Sequence, residues 1–120
     1  MKVRCIQLLD TRGNPREKSG RLTVGKIYHV LEVVQDGGRW LLRLAGDTPT
    51  ALALFQIQQF EIVSSKIPHS WIIQWGKDGF FELTPEPWSQ KGFWERYYDG
   101  DSEAVRVFEE EARKIIESEP

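Results

Sequence analysis

Two histidines, His29 and His69, and one cysteine, Cys5, are the side chains best suited to nucleophilic or general-base chemistry in this chain. A Cys–His pair needs the thiol within hydrogen-bond reach of an imidazole, yet the two histidines lie far from each other and from Cys5 in sequence. Cys5 sits inside the apolar run "VRCIQLL", the setting of a small buried thiol that fills core space. No glycine loop that cradles phosphate, no nucleophile elbow and no zinc-type Cys/His spacing occurs. The chain is therefore expected to be no enzyme, with no catalytic residue, no metal and no cofactor. The run "DGDSE" does bring together Asp99, Asp101 and Glu103, oxygen ligands of the kind a hard cation takes. It lacks the long ligand alternation of a calcium loop. A turn at Gly100, followed by a helix capped by Asp101 or Ser102, accounts for each residue without an ion.

Binding chemistry is better represented. Arg12, Arg16, Lys18, Arg21 and Lys26 lie close in sequence, and Trp40 or Tyr28 offers a flat face on which a base can stack. That is the composition of a groove for single-stranded nucleic acid. Near the other end, "FWERYY" places Trp, Tyr and Arg together, the residue types enriched in protein–protein hot spots. Trp94, Arg96, Tyr97 and Tyr98 are accordingly candidate partner-binding residues, and Trp40 and Arg16 join them from the first half. Burial is the competing use for these rings. Trp71, Trp75, Phe80, Phe81, Trp88, Phe93, Trp94, Tyr97 and Tyr98 form a large apolar load, and a hairpin-plus-helix flap laid over a small β domain would absorb it.

The elements that must position these groups begin with short strands. Val3 to Leu9 reads as the first, followed by a long polar loop from Asp10 to Arg21. "LTVGKIYHVLEVV" is rich in β-branched residues, "QDGG" is a hairpin turn and "RWLLRLA" the returning strand. "GDTPT" turns the chain, and "ALALF", "QIQQ" and "FEIV" supply a strand, a short turn and a closing strand. Beyond "SSKIPHS", a second hairpin is expected from "WIIQW", "GKDG" and "FFELT". A short helix at "SQKGFWERYYD" and a longer one at "SEAVRVFEEEARKIIES" complete the pattern. Val105, Phe108, Ala112, Ile115 and Ile116 form the apolar stripe of the long helix, with Glu109, Glu110 and Glu111 outside.

In order of pieces the first half resembles the SH3-like small barrel. The residues that carry the likeness are "LTVGKIYHVLEV" after a long loop, Trp40 at the start of the third strand, and "ALFQIQQFEIV" as strand, 3₁₀ turn and closing strand. The resemblance implies a mainly β fold: a five-stranded SH3-like barrel over residues 1–66, then a β-hairpin and C-terminal α-helices over 67–120, packed on the barrel. The proline-binding groove of that family is not expected. The long loop holds no aromatic residue, Gln56 and Gln59 stand where that version has Pro and Tyr, and Arg39 precedes Trp40. In overall look the chain resembles small bacterial or phage-type accessory proteins.

Charge is unevenly placed. Residues 1–66 hold 10 Lys/Arg against 6 Asp/Glu, and residues 67–120 hold 6 against 12. Neither half has the charge density of a dedicated nucleic-acid binder, so a protein partner is expected first and a single strand second. The sequence thus predicts a non-enzymatic protein-binding domain, in one version an immunity or antitoxin-like protein whose acidic face meets a basic partner. The lone cysteine and the short apolar runs predict a cytoplasmic protein with no membrane association.

Overall fold

The computed structural model describes residues 1–48 and 51–120. The "GDTPT" turn lies partly outside them. The fold is mainly β, with two antiparallel sheets and C-terminal helices. A three-stranded sheet has β1 (Lys2–Cys5) between β2 (Ile27–His29) and β6 (Phe60–Ser64). A five-stranded sheet runs β5 (Ala53–Gln56), β4 (Arg39–Leu44), β3 (Glu32–Asp36), β8 (Phe81–Pro85) and β7 (Trp71–Trp75). Two helices follow, α1 (Phe93–Tyr98) and α2 (Ser102–Ser118).

Several expected elements are shorter or divided. The first strand stops at Cys5; beyond it Leu9 makes only an isolated bridge to Pro15. The β-branched run from Ile27 is broken at Val30 and Leu31, where the backbone leaves one sheet and enters the other. Val30 N–H donates to the Met1 carbonyl (3.0 Å) and Leu31 N–H to that of Arg43 (2.9 Å). The two-residue turn Gly37–Gly38 has φ of +59° and +80°, the left-handed pair that a tight hairpin requires.

The long loop is folded upon itself. Asp10 Oδ1 accepts from the backbone N–H groups of Arg12 and Asn14, both at 2.9 Å. Gln56 Nε2 donates to the Asp10 carbonyl, and Gln59 Oε1 accepts from Leu9 N–H. Gln56 and Gln59 therefore fasten the loop to β5 and the 3₁₀ turn that follows it. At the loop's far end Asp47 accepts from Thr23 Oγ1 (2.7 Å), Lys26 Nζ (2.8 Å) and Tyr28 Oη (2.7 Å). Those donors hold the Asp47 carboxyl down at about 2, while burial and the same contact push Tyr28 up to about 12.

The second hairpin does not lie over the first half as a flap. β8 pairs with β3 through Val33↔Leu83, Val34↔Glu82 and Gln35↔Phe81, so the hairpin extends the sheet edge-on. One apolar cluster consequently joins Val3, Cys5, Leu42 and Phe55 to Trp71, Trp88, Phe93 and Ile115. In α2 the buried stripe is Ala104, Ala112 and Ile115 with Val107 and Phe108 partly covered, rotated from the expected one. Ile116 is exposed, and Glu111 is half-buried and pairs with Lys114 rather than facing out. The end of α2 is tied to the three-stranded sheet, because Ser64 Oγ donates to Glu119 and His29 Nε2 contacts the Glu119 carbonyl at 2.7 Å. Asp101 occupies the N-cap position of α2 but its side chain makes no cap hydrogen bond, and Gly100 supplies the left-handed turn (φ +82°) before it.

Gly46 offers a test of the packing. Its φ is +68°, and a Cβ there would lie 2.7 Å from that of Ala51 and 2.9 Å from the Arg21 carbonyl. Gly46→Ala is expected to destabilise the fold by more than about 1 kcal/mol in urea titration. Gly76→Ala, with φ in the extended range and open space around it, is the control expected to cost far less.

Candidate functional site

Strand register decides which side chains meet on each face of the five-stranded sheet. Glu32, Arg43 and Leu54 stand side by side, and the row of Gln74, Glu82, Val34, Leu41 and Gln56 shares their face. The alternate rows, with Val33, Leu42, Phe55 and Leu83, point to the core. Alternation would send the charged row to solvent. Here α1 and the preceding 3₁₀ turn (Glu86–Ser89) cover it, leaving Glu32 and Arg43 buried at 2% and 6% exposure.

A buried guanidinium needs partners on every side, and β3 and α1 supply them. Arg43 Nε lies 3.5 Å from Glu32 Oε2, and its Nη1 donates to Tyr98 Oη at 3.0 Å. Its Cζ stands 3.7 Å from the centroid of the Trp94 ring, a cation–π contact. Thr84 Oγ1 donates to Glu32 at 3.2 Å, and Tyr98 Oη donates to the Leu52 carbonyl at 3.1 Å. Burial outweighs the attraction of Arg43 and pushes the Glu32 carboxyl up to about 7, and burial also raises Glu82.

The aromatic run is thereby sorted. Phe93 is buried, and Trp94 and Tyr97 are half-buried among Trp88 and Phe108, with Trp94 and Tyr97 centroids 5.6 Å apart and Trp88 stacked on Phe108 at 5.1 Å. Tyr98 keeps 56% of its surface in water although its hydroxyl is fixed. Arg96 is exposed on the same short helix. Trp40 and Arg16 lie elsewhere, so the six candidate residues form no single site. Arg16 is exposed, with Nε donating to the Lys18 carbonyl at 2.6 Å. Tyr28 is withdrawn from any stacking role: it is 6% exposed, and Lys26, over its ring, is engaged by Asp47.

Trp40 belongs to a different surface. It shares a row with Gln35, Phe81 and Trp75 at the end of the five-stranded sheet, with Trp40 and Phe81 centroids 5.6 Å apart. Trp75 is 73% exposed, and Ile73, on the same face of edge strand β7, is 55% exposed. Trp75 and Phe81 were expected among the buried load; Trp75 is exposed and Phe81 is half-buried. The period-two pattern of "WIIQW" correctly put Trp71, Ile73 and Trp75 on one face, but that face runs past the end of the core. Trp40 also lines a cleft of about 350 Å³ with Arg12, Arg39 and the loop residue Thr11. Arg39 was not among the candidate binding residues, because it reads as an ordinary strand-end charge.

Among the described residues no group of three side chains able to hold a metal occurs, and no helix is long and apolar enough to cross a membrane. No protein family, curated protein or solved structure matches this chain.

The position of Glu32 sets a pH signature. The folded chain keeps its proton up to about pH 7, whereas an unfolded glutamate releases it near ~4.3. Between those values the folded state binds the extra proton, so this group's contribution to stability falls as pH rises through the window and is level above it. Glu32→Gln is expected to compare more favourably with the parent at pH 8 than at pH 5, by roughly 1–3 kcal/mol. Urea unfolding at both pH values checks it; a difference independent of pH would contradict the assignment.

Proposed function

We propose that this chain is a non-enzymatic protein-binding accessory domain whose docking surface is the aromatic rim Trp40–Phe81–Trp75 with Ile73. The observation that carries the reading is the exposure of Trp75 and Ile73 on an edge strand. Contiguous exposed apolar rings of this kind mark interaction sites, and tryptophan is the residue type most enriched where binding energy concentrates. The frame is proposed to be an SH3-like small barrel elaborated by the second hairpin. Three features support it: the folded loop after β1, the bend at Val30–Leu31 that carries the chain from one sheet into the other, and the 3₁₀ turn Ile57–Gln59 between β5 and β6. An immunity or antitoxin-like role is one specific form of the proposal. The excess of acidic residues in 67–120 would then face a basic toxin while the rim supplies apolar contact.

A second reading, single-stranded nucleic acid, has one observation in its favour: Arg12 and Arg39 flank Trp40 in one cleft. It predicts binding to oligo-dT that weakens steeply with salt, with a shallower slope after Arg12→Ala and Arg39→Ala. Absence of binding at low salt would sink it.

For the protein-binding reading, affinity capture from cells of the source organism should recover a partner with the parent chain. The Trp75→Ser/Trp40→Ser double variant should lose it while melting within a few degrees of the parent. Each truncated anchor is expected to cost about 2 kcal/mol or more of binding. Equal recovery by both proteins, or no stoichiometric partner, would overturn the assignment of the rim.

A further inference from the structure

The face of the sheet opposite the rim holds a second, chemically distinct opening. A cleft of about 420 Å³ lies between β3, β4, β7 and β8 and the segment from Trp88 to Glu95. Its walls are aromatic on the helical side, from Phe80, Trp88, Phe93 and Trp94. Its charge is lopsided, since Glu32, Glu82 and Glu95 line it against the single cation Arg43. Arg43 is already committed to Glu32, which leaves Glu82 and Glu95 with no ion-pair partner among the described residues. Glu82 is half-buried, so its charge acts through a medium less screening than bulk water. One donor in the walls is also unsatisfied: Trp88 Nε1 is buried without a hydrogen-bond partner, whereas Arg43 Nε faces Glu32 Oε2 at 3.5 Å. Native folds rarely leave such groups unpaired.

We propose that this cleft is a recognition site for a basic amino-acid residue, its guanidinium or ammonium group paired with Glu82, its stem against the aromatic wall, and an adjoining carbonyl or carboxylate oxygen toward Trp88 Nε1. Each part of the guest answers a part of the cleft. The cation meets the surplus carboxylates, an aliphatic stem suits the ring-lined volume, and the oxygen supplies the acceptor that the buried Trp88 N–H lacks. A bare metal ion would leave the aromatic walls and the Trp88 donor unanswered. A phosphate or other anion would meet net negative charge. The site is independent of the aromatic rim, because alternation places Glu82 on the face opposite Phe81.

The same chemistry is offered by a lysine or arginine within a partner's chain and by a free basic amino acid. Titration calorimetry of the full chain at low salt and pH 8, followed in parallel by tryptophan fluorescence, uses N-acetyl-L-arginine methylamide, its neutral citrulline counterpart and free L-arginine. The arginine amide is expected to bind, and citrulline to bind at least about tenfold more weakly, the loss that one charge-assisted contact implies. Glu82→Gln should show the same loss, while Glu110→Gln on exposed α2 and Trp75→Ser on the rim should not. Preference for the amide assigns a peptide source and preference for free L-arginine a metabolite source; both uphold the site. Affinity should also rise from pH 6 to pH 8 as Glu32, faced by Arg43 from β4 and by Thr84 and Glu82 from β8, gives up its proton. Equal binding of citrulline, unchanged binding by Glu82→Gln, or no heat and no spectral change with any cationic probe would overturn the proposal. Loss of partner capture by the rim variant with arginine-amide binding intact would separate the two sites.

Discussion

The guanidinium of Arg43 is the constraint around which the second half of the chain is arranged. An arginine cannot shed its charge to enter a protein interior, so burial obliges the fold to surround it with acceptors and polarisable surface. Glu32 comes from β3, the carboxylate is steadied by Thr84 from β8, and the Tyr98 hydroxyl and Trp94 ring come from α1. These contacts join β3 and α1 to β4 directly, and β8 to it through Glu32. Removing one partner of such a pair typically costs about 3–5 kcal/mol, because the other charge is stranded. The helix is therefore placed by a specific polar fit as well as by ring burial. Six residues are too few to form a stable helix alone. α1 depends on that fit and on its packing against Phe108 of α2.

Much of the first half was legible because its signals are local. Alternating Val, Leu and Trp residues announce strands, and Gly37–Gly38 can hardly be anything but a tight turn. The bend at Val30 was not legible, since β-branched residues suit a continuous strand and a kinked one equally. The burial of Glu32 and Arg43 was hidden for a deeper reason. Alternation says that they share a face, and only the three-dimensional path of residues 86–98 says that this face is covered. The same limit applies to α2, where Val105 and Ala104 are both apolar. A neighbour's surface, rather than the period, chose which of them is buried.

The aromatic residues illustrate how one composition serves two purposes. Sequence reasoning treated the nine rings from Trp71 to Tyr98 as a single load for a flap. The fold instead partitions them by strand register. Trp88 and Phe93 close the core, Trp94 and Tyr98 frame the arginine, Tyr97 packs on Phe108, and Trp75 and Phe81 are carried beyond the core's end. A one-residue slip of β8 against β3 would exchange the two faces, sending Glu82 toward the core and Phe81 toward the cleft. The register at Val34↔Glu82 thus fixes at once the acidic cleft and the apolar rim.

That register also explains why the rim is costly to maintain. An exposed edge strand is usually blunted by a lysine, a proline or a bulge, since its free amides invite other chains. Trp71–Trp75 contains none of the three in its five residues. Gln74 is its only polar side chain, and it faces the cleft rather than the rim. Shortening β7 or placing a charge at residue 75 would remove the hazard without touching the core, since Trp75 has so little surface buried. An unprotected edge with an exposed tryptophan is the feature on which the proposed docking of a partner rests.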